Sequence, residues 1–137
     1  MTEEPRTTLL IVDGANVVGS VPDGWWRDRR GAAGRLRDRL ARYAAEGVEG
    51  APGPLDVVLV VEGAARGLAP VPGVRVEEAA GSGDDLIAEL AAGAAGRPCL
   101  VVTADRELRR RVVAAGARTA GPRTVYGPGA PEPPQGP

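Results

Sequence analysis

The sequence predicts an α/β protein, a three-layer α/β/α sandwich around a mostly parallel, Rossmann-like central sheet. Leu9-Leu10-Ile11-Val12, Val57-Val58-Leu59-Val60-Val61 and Cys99-Leu100-Val101-Val102 are unbroken apolar runs rich in β-branched residues, the pattern of strands buried on both faces. Helical patterns alternate with them, as crossovers between parallel strands require. The 137 residues suffice for one sizeable core and not for two. We place the domain over residues 7–120 and read 121–137, dominated by Pro and Gly, as a disordered tail.

The first strand runs straight into Asp13-Gly14-Ala15-Asn16, where Gly14 permits a turn that a residue with a Cβ would resist. Ligands of open α/β sheets bind beyond the carboxyl ends of the strands, so Asp13 stands where chemistry is done. Asp and Asn also form plain turns well. A loop over Gly19–Gly24 leads to Trp25-Trp26, and a helix follows from about Asp28 to Ala45, with Ala32, Ala33, Leu36, Leu40, Tyr43 and Ala44 as its apolar stripe. Arg35, Arg39 and Arg42 recur on another face, either as a solvated stripe or as a phosphate-binding patch. Gly47–Pro54 reads as a loop.

The second long strand carries Asp56 at its amino end, away from Asp13, and Glu62 at its carboxyl end, level with Asp13. Val74-Arg75-Val76 fits a short edge strand followed by the solvated charges Glu77 and Glu78. Ser82 suits an N-cap with Asp85 completing a capping box, opening a helix whose stripe is Leu86, Ile87, Leu90, Ala91 and Ala94. The third long strand delivers Thr103-Ala104-Asp105-Arg106-Glu107, after which come a helix through Val112-Val113 and a last short strand at Ala117-Arg118-Thr119.

Composition narrows the chemistry. The chain has no His, which removes Ser-His-Asp and Cys-His catalysis and His-bearing zinc sites. Cys99 is alone and sits in an apolar strand, so it reads as a packed thiol. The basic residues are all Arg, 17 of them against 18 acids, so net charge supplies no nucleic-acid footprint. No signal peptide and no bilayer-length apolar run is visible, so a soluble cytoplasmic protein is expected.

Carboxylates therefore carry what chemistry there is. Asp13, Glu62 and Asp105 each follow a buried strand, and Asp84-Asp85 open a helix. Crowded on one sheet edge, such groups raise one another's pKa unless a cation compensates. Carboxylates without His or thiolate suit Mg²⁺ or Mn²⁺, which activate water for phosphoryl chemistry. Each acid also has a plain role open to it, as a helix N-terminal charge or an exposed strand end.

Leu10-Ile11-Val12-Asp13-Gly14-Ala15-Asn16, Gly83-Asp84-Asp85-Leu86-Ile87 and Val101-Val102-Thr103-Ala104-Asp105-Arg106-Glu107-Leu108 together resemble the NYN branch of the PIN-like nucleases, specifically the YacP-like group. The resemblance spans Leu9 to about Gly116 and rests on the ordered set, since Asp-Gly-x-Asn alone is common. It implies a PIN-like sandwich and a divalent-metal-dependent endoribonuclease. The family's first Asp falls on Asp13 and its Asn on Asn16. Its helix-start Asp falls on Asp84, three residues before Ile87, and its Ser/Thr-x-Asp-x-Asp pattern on Thr103, Asp105 and Glu107. Glu107 departs from that pattern, being longer than the expected Asp. Related flap nucleases often carry an acid where Glu62 stands.

The expected ligands of Mg²⁺ or Mn²⁺ are Asp13, Asp84 and Asp105, with Glu62, Glu107 and Asp85 as outer or second-metal ligands. Asn16 and Thr103 are expected to orient water or a phosphate oxygen, while Arg35, Arg39, Arg106, Trp25 and Trp26 contact RNA. The lack of a basic surplus fits RNA presented by another particle such as a ribosome. Two rivals stand beside this reading: a metal-dependent nucleotide pyrophosphohydrolase or phosphatase, and a non-catalytic RNA- or ribosome-binding module. Ala15, where a phosphatase of this kind would carry a second Asp, weakens the phosphatase version.

Overall fold

The computed structural model describes residues 7–94, 96–128 and 130. In chain order the elements are β1 (Thr8–Asp13), α1 (Gly14–Gly19), α2 (Arg29–Glu46), β2 (Gly47–Val48), β3 (Ala51–Pro52), β4 (Leu55–Val61), β5 (Val74–Glu78), α3 (Gly83–Gly93), β6 (Cys99–Val102), α4 (Arg106–Ala114) and β7 (Arg118–Ala120). Five strands form one sheet in the order β5-β4-β1-β6-β7, every neighbouring pair parallel. The expected α/β/α sandwich is therefore present, with β1 at its centre. The chain works outward from β1 through β4 to β5, then returns to β6 on the other side of β1. The point where strand order reverses lies between β1 and β6, which in open α/β sheets is where ligands bind.

Side-chain alternation divides the core in two. Leu10, Val12, Val57, Leu59, Val61, Leu100 and Val102 face one layer, packing with Leu36, Leu40 and Tyr43 of α2. Leu9, Ile11, Val58, Val60, Cys99 and Val101 face the other, with Ile87 and Ala91 of α3 and Leu108 and Val112 of α4. Cys99 is buried, and burial pushes its thiol pKa upward.

Several local features differ from the expectations. The turn after Asp13 is a helix, α1, capped by the Asp13 side chain. Gly14 is needed for space: a Cβ there would lie 2.5 Å from the Val60 carbonyl oxygen and 3.2 Å from Leu59 Cδ1, because α1 starts hard against β4. The segment expected as a loop over Gly47–Pro54 holds the β2–β3 hairpin. Ser82 caps α3, its Oγ accepting from Asp84 N at 3.2 Å, but Asp85 turns to Arg111 at 3.0 Å.

The domain also extends past residue 120. A 3₁₀ turn at Pro122–Thr124 seats Val125, fully buried, among the α2-side core, and Tyr126 packs beside it. Arg39 Nε donates to the Val125 carbonyl at 2.6 Å. One buried apolar side chain and one charge-assisted hydrogen bond thus bring residues 121–126 into the fold, where the composition had read a disordered tail. Of the rest of that reading, 129 and 131–137 fall outside the described residues.

At the amino end of the sheet, Asp56 pairs with Arg75 at 3.1 Å and Arg97 at 3.3 Å, and Arg97 also donates to the Thr7 carbonyl. No helix among the described residues is long and apolar enough to cross a membrane.

Candidate active site

Asp13 ends β1 and is almost fully buried. Its Oδ1 accepts from Asn16 N at 3.4 Å and its Oδ2 accepts from Thr103 Oγ1 at 2.9 Å. Thr103 directly follows β6, and its Oγ1 also accepts from Asp105 N at 3.1 Å. Asp105 Oδ1 then accepts from Leu108 N at 3.0 Å, capping α4. The chain of bonds closes through Asn16, whose Oδ1 accepts from Ala104 N at 2.8 Å. Strands β1 and β6 are thereby laced together at the carboxyl edge, at the strand-order reversal.

A concavity of about 350 Å³ opens on this edge, lined by Asp13, Ala15, Asn16, Glu62, Ser82, Asp84 and Asp105. Four carboxylates of the expected set are brought together there, contributed by β1, the loop after β4, the start of α3 and the loop after β6. Glu62 accepts from Gly83 N, which ties the end of β4 to the start of α3. Burial pushes the Asp13 carboxyl up from 3.8 to about 6, and repulsion from Asp84 and Glu62 adds to this against the Thr103 and Asn16 hydrogen bonds. Asp84 is also raised, by burial first and then by Asp105 and Glu62, with Arg111 opposing.

Other expected site residues fall elsewhere. Glu107 is not in the concavity: its side chain is 72% exposed and pairs with Arg110 at 3.1 Å. Asp105 is the cap of α4, so a residue two positions on is turned about 200° around the helix axis. Asp85, 81% exposed and paired with Arg111, is likewise outside. Thr103 is fully buried, and its hydroxyl is engaged by Asp13 Oδ2 and Asp105 N. The Asn16 carbonyl oxygen is committed to Ala104, which leaves its Nδ2 amide as the group available to a ligand.

Arg39 is tied to the Val125 carbonyl and stacks 5.8 Å over Tyr43, and Arg35 lies beside the Tyr126 hydroxyl, so this stripe braces the C-terminal segment. Arg106 is exposed at the start of α4. Trp25 and Trp26 form a 3₁₀ turn, packed edge to face at 5.9 Å, with Trp26 52% exposed. Arg109 was invisible as a site residue: its Nε donates to the Thr103 carbonyl at 2.8 Å, anchoring the loop that carries Asp105. No sequence pattern separates it from its neighbours Arg110 and Arg111.

The donor set is hard oxygen alone, which fits Mg²⁺ or Mn²⁺, and Asp13 and Asp84, both raised by burial and by neighbouring acids, are the groups whose charge a cation would relieve. Among the described residues no three of these groups already stand at metal-ligand spacing.

No protein-family model and no curated protein matches the sequence. Solved structures do. Two structures of Rae1 (YacP) from Bacillus subtilis, one of them a point mutant, each superpose with a TM-score of 0.66. They are 22% and 21% identical to this chain, covering 87% and 85% of it and 72% and 70% of their own length. At that identity the likeness speaks for architecture: this chain has the YacP-like α/β fold.

Proposed function

We propose that the protein is a divalent-metal-dependent endoribonuclease of the NYN/PIN-like type. The observation that carries this reading is the gathering of Asp13, Glu62, Asp84 and Asp105 around one concavity at the strand-order reversal of a YacP-like sheet. Asp13, Asp84 and Asp105 would hold Mg²⁺ or Mn²⁺, with Glu62 beside them. When bound, the cation supplies an activated water and neutralises charge developing on the phosphate oxygens. Asp13 is kept in one orientation by Thr103 and Asn16, so its carboxylate costs little to arrange. The Asn16 amide can donate to a phosphate oxygen. Thr103 and Arg109 act through the groups they position and not on the substrate.

The near-neutral charge offers little grip on free RNA, a difficulty that is eased if RNA is presented by a larger particle such as a ribosome in the cytoplasm, which we propose as the further reading. The test is cleavage of a labelled RNA with Mn²⁺, Mg²⁺ or EDTA, alone and with translating ribosomes, beside Asp13→Asn and Asp105→Asn. Metal-dependent cutting by the parent and none by folded variants is the expected result. Hydrolysis of nucleoside triphosphates with intact RNA would instead assign a nucleotide pyrophosphohydrolase. RNA or ribosome binding without Mn²⁺ uptake would assign a non-catalytic module.

A further inference from the structure

Beside the acid-lined concavity lies a second, mostly apolar one of about 260 Å³. Ala15 and Glu62 line both, so the two adjoin. Val18, Val61, Ala33 and Ala65 supply apolar wall, and Trp25 and Arg29 form a stacked side, the guanidinium lying 5.2 Å from the ring centroid. Arg29 makes no ion pair among the described residues. Pockets for drug-sized ligands start at about 300 Å³, so this one suits a single planar group. Unpaired RNA bases are held in such settings, stacked on aromatic rings and guanidinium planes.

We propose that this pocket receives one unpaired nucleobase, that of a nucleotide flanking the phosphate held at Asp13, Asp84 and Asp105. This rests on the nuclease reading for the identity of the neighbouring phosphate. The base enters between the apolar wall and the Trp25–Arg29 side, and Arg29 offers its charge to the flanking phosphate. A base can reach the pocket only when it is unpaired, so the substrate class is single-stranded RNA at the cut.

The test separates binding from cleavage. Trp25 and Trp26 are the only tryptophans, so ¹⁵N-labelled protein shows two indole N–H signals, assigned with Trp26→Phe. In EDTA, millimolar nucleoside 5′-monophosphates are expected to shift the Trp25 signal saturably, ribose 5-phosphate is not, and Ala65→Leu, which fills the pocket, removes the response. No Trp25 response to any of the four nucleotides, or an equal response to ribose 5-phosphate, would overturn the proposal; if Ala65→Leu does not fold, that contrast decides alone. In cleavage, an abasic residue beside the cut is expected to raise KM about tenfold for the parent and to matter little for Ala65→Leu. A saturable Trp25 shift with no cleavage of any RNA would retain the base pocket and overturn only the nuclease reading.

Discussion

Thr103 Oγ1 donates a 2.9 Å hydrogen bond to Asp13 Oδ2 across the β1–β6 boundary, joining residues 90 apart in the sequence. The same oxygen accepts from Asp105 N, so one buried hydroxyl sets the position of two of the four clustered acids. Thr103→Val keeps the shape and removes both bonds. A hydrogen bond to a charged group contributes about 1.5–3 kcal/mol, so urea denaturation should show a loss of about that size. Metal-dependent cleavage should fall at least tenfold, and Thr103→Ser should restore most of both.

The raised Asp13 carboxyl makes the metal-free protein pH-sensitive. With a folded value near 6 and an unfolded value near 3.8, the folded state holds the extra proton between those limits. Stability therefore falls as pH rises through that window, by roughly 3 kcal/mol in total for a shift of this size. Asp13→Asn carries no such charge. Thermal unfolding in EDTA should show the parent losing ground to Asp13→Asn between about pH 4 and pH 6.5, and Mn²⁺ should reverse the order near pH 7 by stabilising the parent.

Cluster membership predicts which acids matter. Glu62→Gln removes a carboxylate that lines the concavity and holds the Gly83 amide, and should lower cleavage by tenfold or more. Glu107→Ala and Asp85→Ala remove exposed, ion-paired carboxylates outside it and should leave kcat/KM within about twofold. Steady-state cleavage of one labelled RNA by the three variants is the check. A Glu107→Ala loss matching that of Asp13→Asn would place Glu107 back among the ligands.

Val125 makes residues 121–126 part of the domain. Val125→Ala deletes two buried methyl groups and should cost about 2 kcal/mol in urea denaturation. Arg39→Leu, which releases the Val125 carbonyl, should be less than additive with it, since both act on one contact.

Much of the architecture was determined locally. Unbroken runs such as Leu9–Val12 and Val57–Val61, short and rich in β-branched residues, suit strands inside a sheet covered on both faces, and the intervening helical stripes supply the cover. The directions of the strands then put Asp13, Glu62 and Asp105 at one edge and Asp56 at the other, as the sequence alone implied. Asp84 arrives with them because α3 starts where its N-terminal amide meets Glu62.

Tertiary structure decided which acids meet. Glu62 neighbours Asp13 only because β4 pairs with β1, and Asp105 only because β6 takes the other side. Glu107 and Asp85 belong to the same motifs, but side-chain direction around a helix sends them outward to Arg110 and Arg111. Gly14 is required by contact with Val60, a residue 46 positions away, and Val125 is one apolar side chain in a segment with no period to announce it. Period and composition are properties of neighbours along the chain, whereas cluster membership, close approach and burial are set by strand order and by contacts between distant residues.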